Sequence, residues 1–338
     1  MTESAILAAA SSGGGQLKSY SRRKQLVLLA AITAVCAMIP LVVGDIYLQN
    51  VLILTLMYAA LSQSWNILGG YCGQISLGHA LYFGVGAYTA TVLFTGFGIT
   101  PWLGMLVGGV ISAILALILG YFCFGLKGHY FAIATMVIAE IGLLIVHNTD
   151  ALGAALGIQW PIGEDSWWTL QFQSKLPYIY LALALFAITW LATYAIEGSR
   201  SGFWWRAIKD DPEAAESLGV EVLPSKLMAA AVSAFFTAIA GSFYAAYVSY
   251  IDPDSVMSFR FSLLFALPAV LGGIGTLWGP AVGAAVLIPV TEFTRSYVGG
   301  SGNGADLIVY GILIMLVALA RPEGLLSFIG PAKRKPQP

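Results

Sequence analysis

Any chemistry in this chain would have to come from few side chains. Of its three histidines, His79, His129 and His147, no two sit at a metal-ligand spacing, so no metal site is expected. Cys36, Cys72 and Cys123 are widely separated in apolar stretches, where small buried thiols are expected rather than a disulfide or metal ligands. Gly13-Gly14-Gly15-Gln16-Leu17-Lys18-Ser19 lacks the glycine before lysine that a phosphate loop needs, and Gly273, Gly275 and Gly279 miss dinucleotide spacing. The chain is therefore expected to bind no cofactor. No nucleophile, base and orienting group recur together in a polar loop, so no catalytic residue and no enzyme activity are expected.

Other polar groups stand inside apolar runs. Glu140 lies in the middle of YFAIATMVIAEIGLLIV. A charge there costs at least ~2.5–3.5 kcal/mol on insertion scales, so Glu140 should face a helix bundle or be protonated. A hydrogen bond to a neighbouring helix or sister subunit and a role in transport both fit. Glu292 and Arg295 are three apart and can pair on a helix. Asn66, Gln74, Ser76 and His79 flank the glycines at 69, 70, 73 and 78, and Thr276 and Trp278 lie within the Gly272–Pro280 stretch. Such glycines either allow close helix packing or break a helix so that its backbone lines a route. Under the second reading these residues, with Glu140, are the candidate pathway.

The elements that must hold these groups are membrane helices. Of 338 residues, 58% are hydrophobic and 10% charged, against roughly 25% charged in a soluble domain. The net charge of −1 points to no nucleic-acid partner. Ten candidate spans are read: Gln25–Gly44, Ile46–Gly69, Gln74–Thr95, Trp102–Leu126, His129–His147, Pro177–Ile196, Ser225–Tyr250, Phe261–Ile274, Leu277–Ser296 and Ala305–Ala320. The first is read as a retained signal-anchor, its apolar run being too long for a cleaved leader. The eighth is too short to cross alone, and Pro268 with the following glycines predicts a broken or re-entrant helix. The fold class is thus all-α and polytopic. With the N-terminus in the cytoplasm and alternating sides, 13 of the 16 Lys and Arg fall inside, leaving only Lys175, Arg260 and Arg295 outside. Both termini are then cytoplasmic, with tails at 1–24 and 327–338 flanking a 25–326 membrane domain.

Two polar segments interrupt that domain. The 148–176 loop is external, and Trp160, Trp167 and Trp168 suit an interfacial belt or a docking surface. The 197–224 loop is cytoplasmic. Asp211 and Pro212 form a helix start and Gly219 a stop, predicting a two-turn helix over Pro212–Leu218. If it roughly continues the preceding piece, Trp204, Ile208, Ala215 and Leu218 share one side, opposite Arg206, Lys209, Asp210, Glu213 and Glu216. Its acidic face suits a protein groove better than anionic lipid.

Glu213-Ala214-Ala215, three residues and Gly219 resemble the coupling loop of bacterial ABC import permeases, although Leu223-Pro224 comes earlier than in the fuller pattern. Asn66-Ile67-Leu68-Gly69-Gly70-Tyr71-Cys72-Gly73-Gln74-Ile75-Ser76-Leu77-Gly78-His79-Ala80 resembles the opening signature of LivM-type permeases. So do Gly128-His129-Tyr130-Phe131-Ala132, the 271–280 stretch and Arg321-Pro322-Glu323-Gly324-Leu325. The resemblance implies a bacterial inner-membrane permease subunit for branched-chain or other hydrophobic amino acids. It further implies a LivH-type permease, two cytoplasmic ATPases that use ATP and Mg, and an external solute-binding protein as partners. Arg206, Asp210, Asp211, Glu213, Ala214, Ala215 and Gly219 would then engage an ATPase. Urea or short amides are cargo in sister branches. An ion-coupled carrier acting alone through Glu140, and a passive channel for a small neutral solute, are the rival readings.

Overall fold

The computed structural model describes residues 23–40, 44–126, 128–161, 163, 165–298, 311–312, 315 and 324–328. Most of the expected tenth span and of both terminal tails, with Arg321-Pro322-Glu323, Lys127 and Glu164, lies outside the described residues. The chain is all-α; among the described residues the one two-stranded ribbon pairs Ile158–Gln159 with Tyr250–Ile251.

Among the described residues, eight helical stretches are long and apolar enough to cross a bilayer. Seven are continuous helices or begin as one: α1 (Arg23–Pro40), α2 (Ile46–Asn66), α3 (His79–Phe97), α4 (Pro101–Cys123), α5 (His129–His147), α6 (Leu176–Glu197) and α9 (Val222–Val248). Two short helices, α7 (Arg200–Asp210) and α8 (Pro212–Ser217), interrupt the series between α6 and α9. The eighth stretch, Pro253–Gly272, combines α10 (Pro253–Met257) with α11 (Phe259–Gly272), divided where Ser258 turns extended (ψ 149). It is therefore longer than the sequence implied. Pro268 sits within α11 without ending it, and the stop comes at Gly273, whose φ of 133 suits glycine. After α11, α12 (Gly279–Val298) matches the ninth expected span.

The third span is shorter than expected. It starts at His79, because the Gly73 φ of 74 ends the preceding helix and 72–78 stays non-helical. Before that, α2 widens into a π-turn over Ile67–Tyr71.

Helix α2 is the centre of the bundle. Every residue from Leu56 to Asn66 is buried, by α6, α9, α11 and α12. A helix covered all round needs no polar face, and this one has almost none. By contrast α5 fully buries only Phe131, Ala139, Leu143 and Val146, and about half of its residues are exposed. Helices α3, α4 and α9 pack through small residues. A Cβ at Gly86 would stand 2.0 Å from the Ala238 carbonyl oxygen, and Ser242 Oγ donates to Gly86 O at 2.9 Å. In lipid, such close backbone approach supplies the dispersion energy that water would otherwise supply by exclusion.

The connections gather at two ends. At one, Thr100 Oγ1 donates to Trp168 O (2.7 Å), the ribbon joins 158–159 to 250–251, and His147 Nε2 meets Asp254 (3.1 Å). At the other, Trp205 Nε1 donates to Ser225 O (2.9 Å), and Lys209 reaches the turns after α2 and α11. These are the two sets of loops that strict alternation of spans puts on opposite sides.

Candidate functional site

The 197–224 segment forms two capped helices. Ser199 Oγ accepts from Gly202 N (3.4 Å) at the start of α7. Trp205 and Ile208 anchor it, both essentially fully buried, and Arg206 pairs with Glu197 while lying 5.3 Å from the Tyr71 ring centre. Asp211 is extended, and its Oδ1 accepts from Glu213 N (2.9 Å) and Ala214 N (3.1 Å) to cap α8. Pro212 opens α8, and Gly219 closes it at φ 86.

The expected helix is thus present, ending at Ser217. Of the expected apolar side, Ile208 and Ala215 are buried, at 1% and 2%, but the other two residues are not. Trp204 and Leu218 are exposed, at 46% and 84%, while Trp205 takes the core position. Asp211 breaks the rod, so α8 does not continue the phase of α7. Ala215 alone of α8 is buried; Glu213, Ala214, Glu216 and Leu218 project outward with Asp210 and Asp211. This is a small acidic knob with an apolar tip, tied to the bundle through one alanine.

The inner side of this module touches the two glycine-broken elements, which meet each other. Asn66, fully buried, makes a two-point amide pair: its Nδ2 donates to Thr276 O (3.0 Å), and its Oδ1 accepts from Gly275 N (2.8 Å). Lys209 Nζ then donates to Gly70 O at 2.8 Å. The three strands of backbone are in contact: a Cβ on Gly275 would stand 2.7 Å from Gly70 O and 2.8 Å from Lys209 Nζ. A Cβ on Gly73 would stand 2.9 Å from Lys209 Cγ. Thr276 Oγ1 donates to Gly273 O (2.7 Å) and accepts from Gly279 N (3.1 Å), stapling the turn that starts α12. Lys209, otherwise one cation on a polar face, is the residue that sequence reasoning missed. Its partner is a carbonyl, which leaves no charge pattern in the sequence.

Of the other sequence candidates, Ser76 and His79 form a closed network. Ser233 Oγ donates to Ser64 O (2.7 Å), so it accepts from His79 Nε2 (2.8 Å), which leaves His79 Nδ1 to accept from Ser76 Oγ (3.2 Å). Ser76 Oγ also accepts from Gly78 N, and Ser76 O accepts from Trp65 Nε1 (2.8 Å). Every polar atom is used, which suits a staple holding the non-helical 72–78 segment in the bundle. Gln74 is half-buried beside it, its backbone N–H donating to Leu68 O (3.1 Å). Trp278 is half-buried with its ring 4.9 Å from that of Trp190.

Glu140 does not face this chain's interior. It lies on the outer side of α5 with Ile133, Val137, Ile141 and Leu144, all exposed. The face that α5 buries is set by the few contacts it makes, through Ala139 and Leu143, and Glu140 is turned away from them. Among the described residues no cluster of His, Cys, Asp or Glu could hold a metal ion.

A helical bundle whose broken elements converge on an acidic two-turn knob invites comparison with transport proteins. Residues 47–318 match the family model described as "Branched-chain amino acid transport system / permease component". The chain belongs to this family. Within it, the chain is 27% identical over 334 residues to the high-affinity branched-chain amino acid transport system permease protein LivM of Salmonella typhimurium, covering 91% of this chain and 76% of that protein. The LivM of Escherichia coli K12 is 28% identical with the same coverage. A second kind of family member is also similar: LivH of Salmonella typhimurium, 25% identical over 289 residues, or 80% of this chain and 91% of LivH. The family match spans α2 to α12, so the Asn66 junction and the α7–α8 knob both lie inside it.

Proposed function

We propose that this chain is one permease subunit of an ATP-driven importer of branched-chain amino acids in a bacterial inner membrane. It pairs with a LivH-type permease, two cytoplasmic ATPases and an external solute-binding protein; ATP and Mg are used by the ATPases. Similarity to both LivM and LivH proteins supports a pathway built between two homologous chains. Both termini and the α7–α8 knob are cytoplasmic in this reading, which is supported by the basic residues crowding one set of loops.

One observation carries the coupling: the knob that protrudes for an ATPase is joined, through Lys209, to the backbone where α2 and the turn before α12 meet. Closure of two ATPases would move α8, and Lys209 would pass that displacement to Gly70 and Gly275. A protonated relay through the bundle is not favoured, because Glu140 is on the outside of α5.

The test is deletion of Pro212–Leu218 in the importer reconstituted with its partners. The variant should insert in the membrane but lose uptake driven by ATP hydrolysis. Uptake equal to that of the parent would refute the role of the knob, and uptake by the chain alone without ATP would refute the reading as an importer subunit.

A further inference from the structure

Apart from α1, α5 is the candidate span with the smallest buried share. Its inner side rests on α3, α4, α10 and α11. Its outer side is a stripe in which Ile133, Val137, Ile141 and Leu144 are each half or more exposed, with Glu140 among them. Spacings of three and four put all five on one helical face. Glu140 is the twelfth of the nineteen residues of α5. At a rise of about 1.5 Å per residue it lies ~16 Å from one end of the helix and ~10 Å from the other. A glutamate stem is too short to carry its carboxyl to the headgroups over that distance, as a lysine or arginine stem can. Lipid therefore suits this stripe poorly. It does suit the outer face of α4, which is apolar through its middle at Val107, Val110, Ile111 and Ile114.

Depth narrows the occupant. A soluble ATPase or binding protein stays outside the hydrocarbon, so what meets Glu140 must itself be a membrane helix. That helix must also answer a buried carboxyl group with a cation or a hydrogen-bond donor. A second copy of this chain offers neither. A two-fold contact through α5 would set Glu140 beside Glu140. Contact through α4 or α6 would set it against Val110 and Ile114, or against Ala184 and Ile188, which are the residues exposed at mid-depth there. A related chain of different sequence can supply the donor, and similarity to both LivM and LivH proteins points to such a partner.

We propose that the outer face of α5 is where this chain meets its homologous partner permease, and that a helix of the partner presents a cation or hydrogen-bond donor to Glu140 at mid-bilayer. The inference rests on the importer reading above, which supplies the partner, and adds to it the face that is used. Glu140 then favours the mixed pair over a pair of identical chains, because only the mixed pair satisfies the carboxyl group.

The experiment uses the whole importer with an affinity tag on this chain. The photoreactive residue p-benzoylphenylalanine replaces Val137 or Leu144 on α5, and Val110 or Ile114 on α4 for comparison. On irradiation of the membranes, the α5 sites should join the tagged chain to the partner permease, identified by mass spectrometry, in several-fold excess over the α4 sites. Ile141 takes the place of either α5 site if that variant does not assemble. In dilution of the detergent-solubilised pair, Glu140→Leu should raise the apparent Kd for the partner about tenfold, the loss of one charge-assisted hydrogen bond, and Glu140→Gln should raise it less. Adducts with lipid alone, within this chain or with a second copy of it overturn the placement. So do equal yields from α4 and α5, or an unchanged Kd in Glu140→Leu. In each of those cases the partner is recovered and the importer reading stands. If the parent chain recovers no partner permease at all, the importer reading itself fails, and this placement with it.

Discussion

Replacing Lys209 by methionine removes the ammonium but keeps an unbranched stem against Gly73, so it tests the Lys209–Gly70 link with little change in packing. A net hydrogen bond to a charged group contributes ~1.5–3 kcal/mol. Lys209 lies on an exposed flank of α7, so the lower end applies, about 1.5 kcal/mol after solvent screening. If the link transmits motion from α8 to the junction, that loss weakens coupling about tenfold. The assay is the ratio of leucine imported to ATP hydrolysed in proteoliposomes holding the complete importer and its binding protein. Lys209→Met should lower the ratio about tenfold, and Lys209→Arg, which can still donate to the carbonyl, should recover much of it. A merely structural lysine would lower protein yield and leave the ratio per assembled complex intact. An unchanged ratio in Lys209→Met would refute the reasoning.

Two further changes probe the junction. Asn66→Leu strands Gly275 N and Thr276 O, each an unpaired polar group worth ~1–3 kcal/mol when buried, and should lower the thermal unfolding midpoint of the detergent-solubilised chain well beyond the effect of an exposed leucine on α5. Gly70→Ala should cost as much or more, since its Cβ would fall 1.8 Å from Asn66 Oδ1 and 2.7 Å from Gly275 N, distances that only displacement of the amide pair can relieve. An unfolding midpoint within error of the parent would contradict the close approach in either case.

Sequence reasoning reached the membrane, the alternation of loops and the capped helix at Pro212, because each follows from local chemistry. Twenty apolar residues must cross lipid, basic loops stay on one side, and Asp before Pro caps free amides whatever the surroundings. It failed where the outcome depends on which neighbours a side chain meets. Trp205 rather than Trp204 is buried, because Asp211 turns extended and fixes α7 and α8 at separate angles. Glu140 faces outward, because α5 touches its neighbours on few positions and the sequence does not show which. His79 is spent on Ser76 and on Ser233, a residue 154 positions away.

What the sequence determined by itself is most of the helical elements, since hydropathy and caps act within a turn or a span. Only the tertiary structure decided that Asn66 grips Gly275, that Lys209 closes on Gly70, and that Arg260 and Arg295 share a cavity with Glu292. The first two join residues 209 and 139 positions apart through backbone atoms and glycine gaps. Their energy depends on distances that no local pattern encodes.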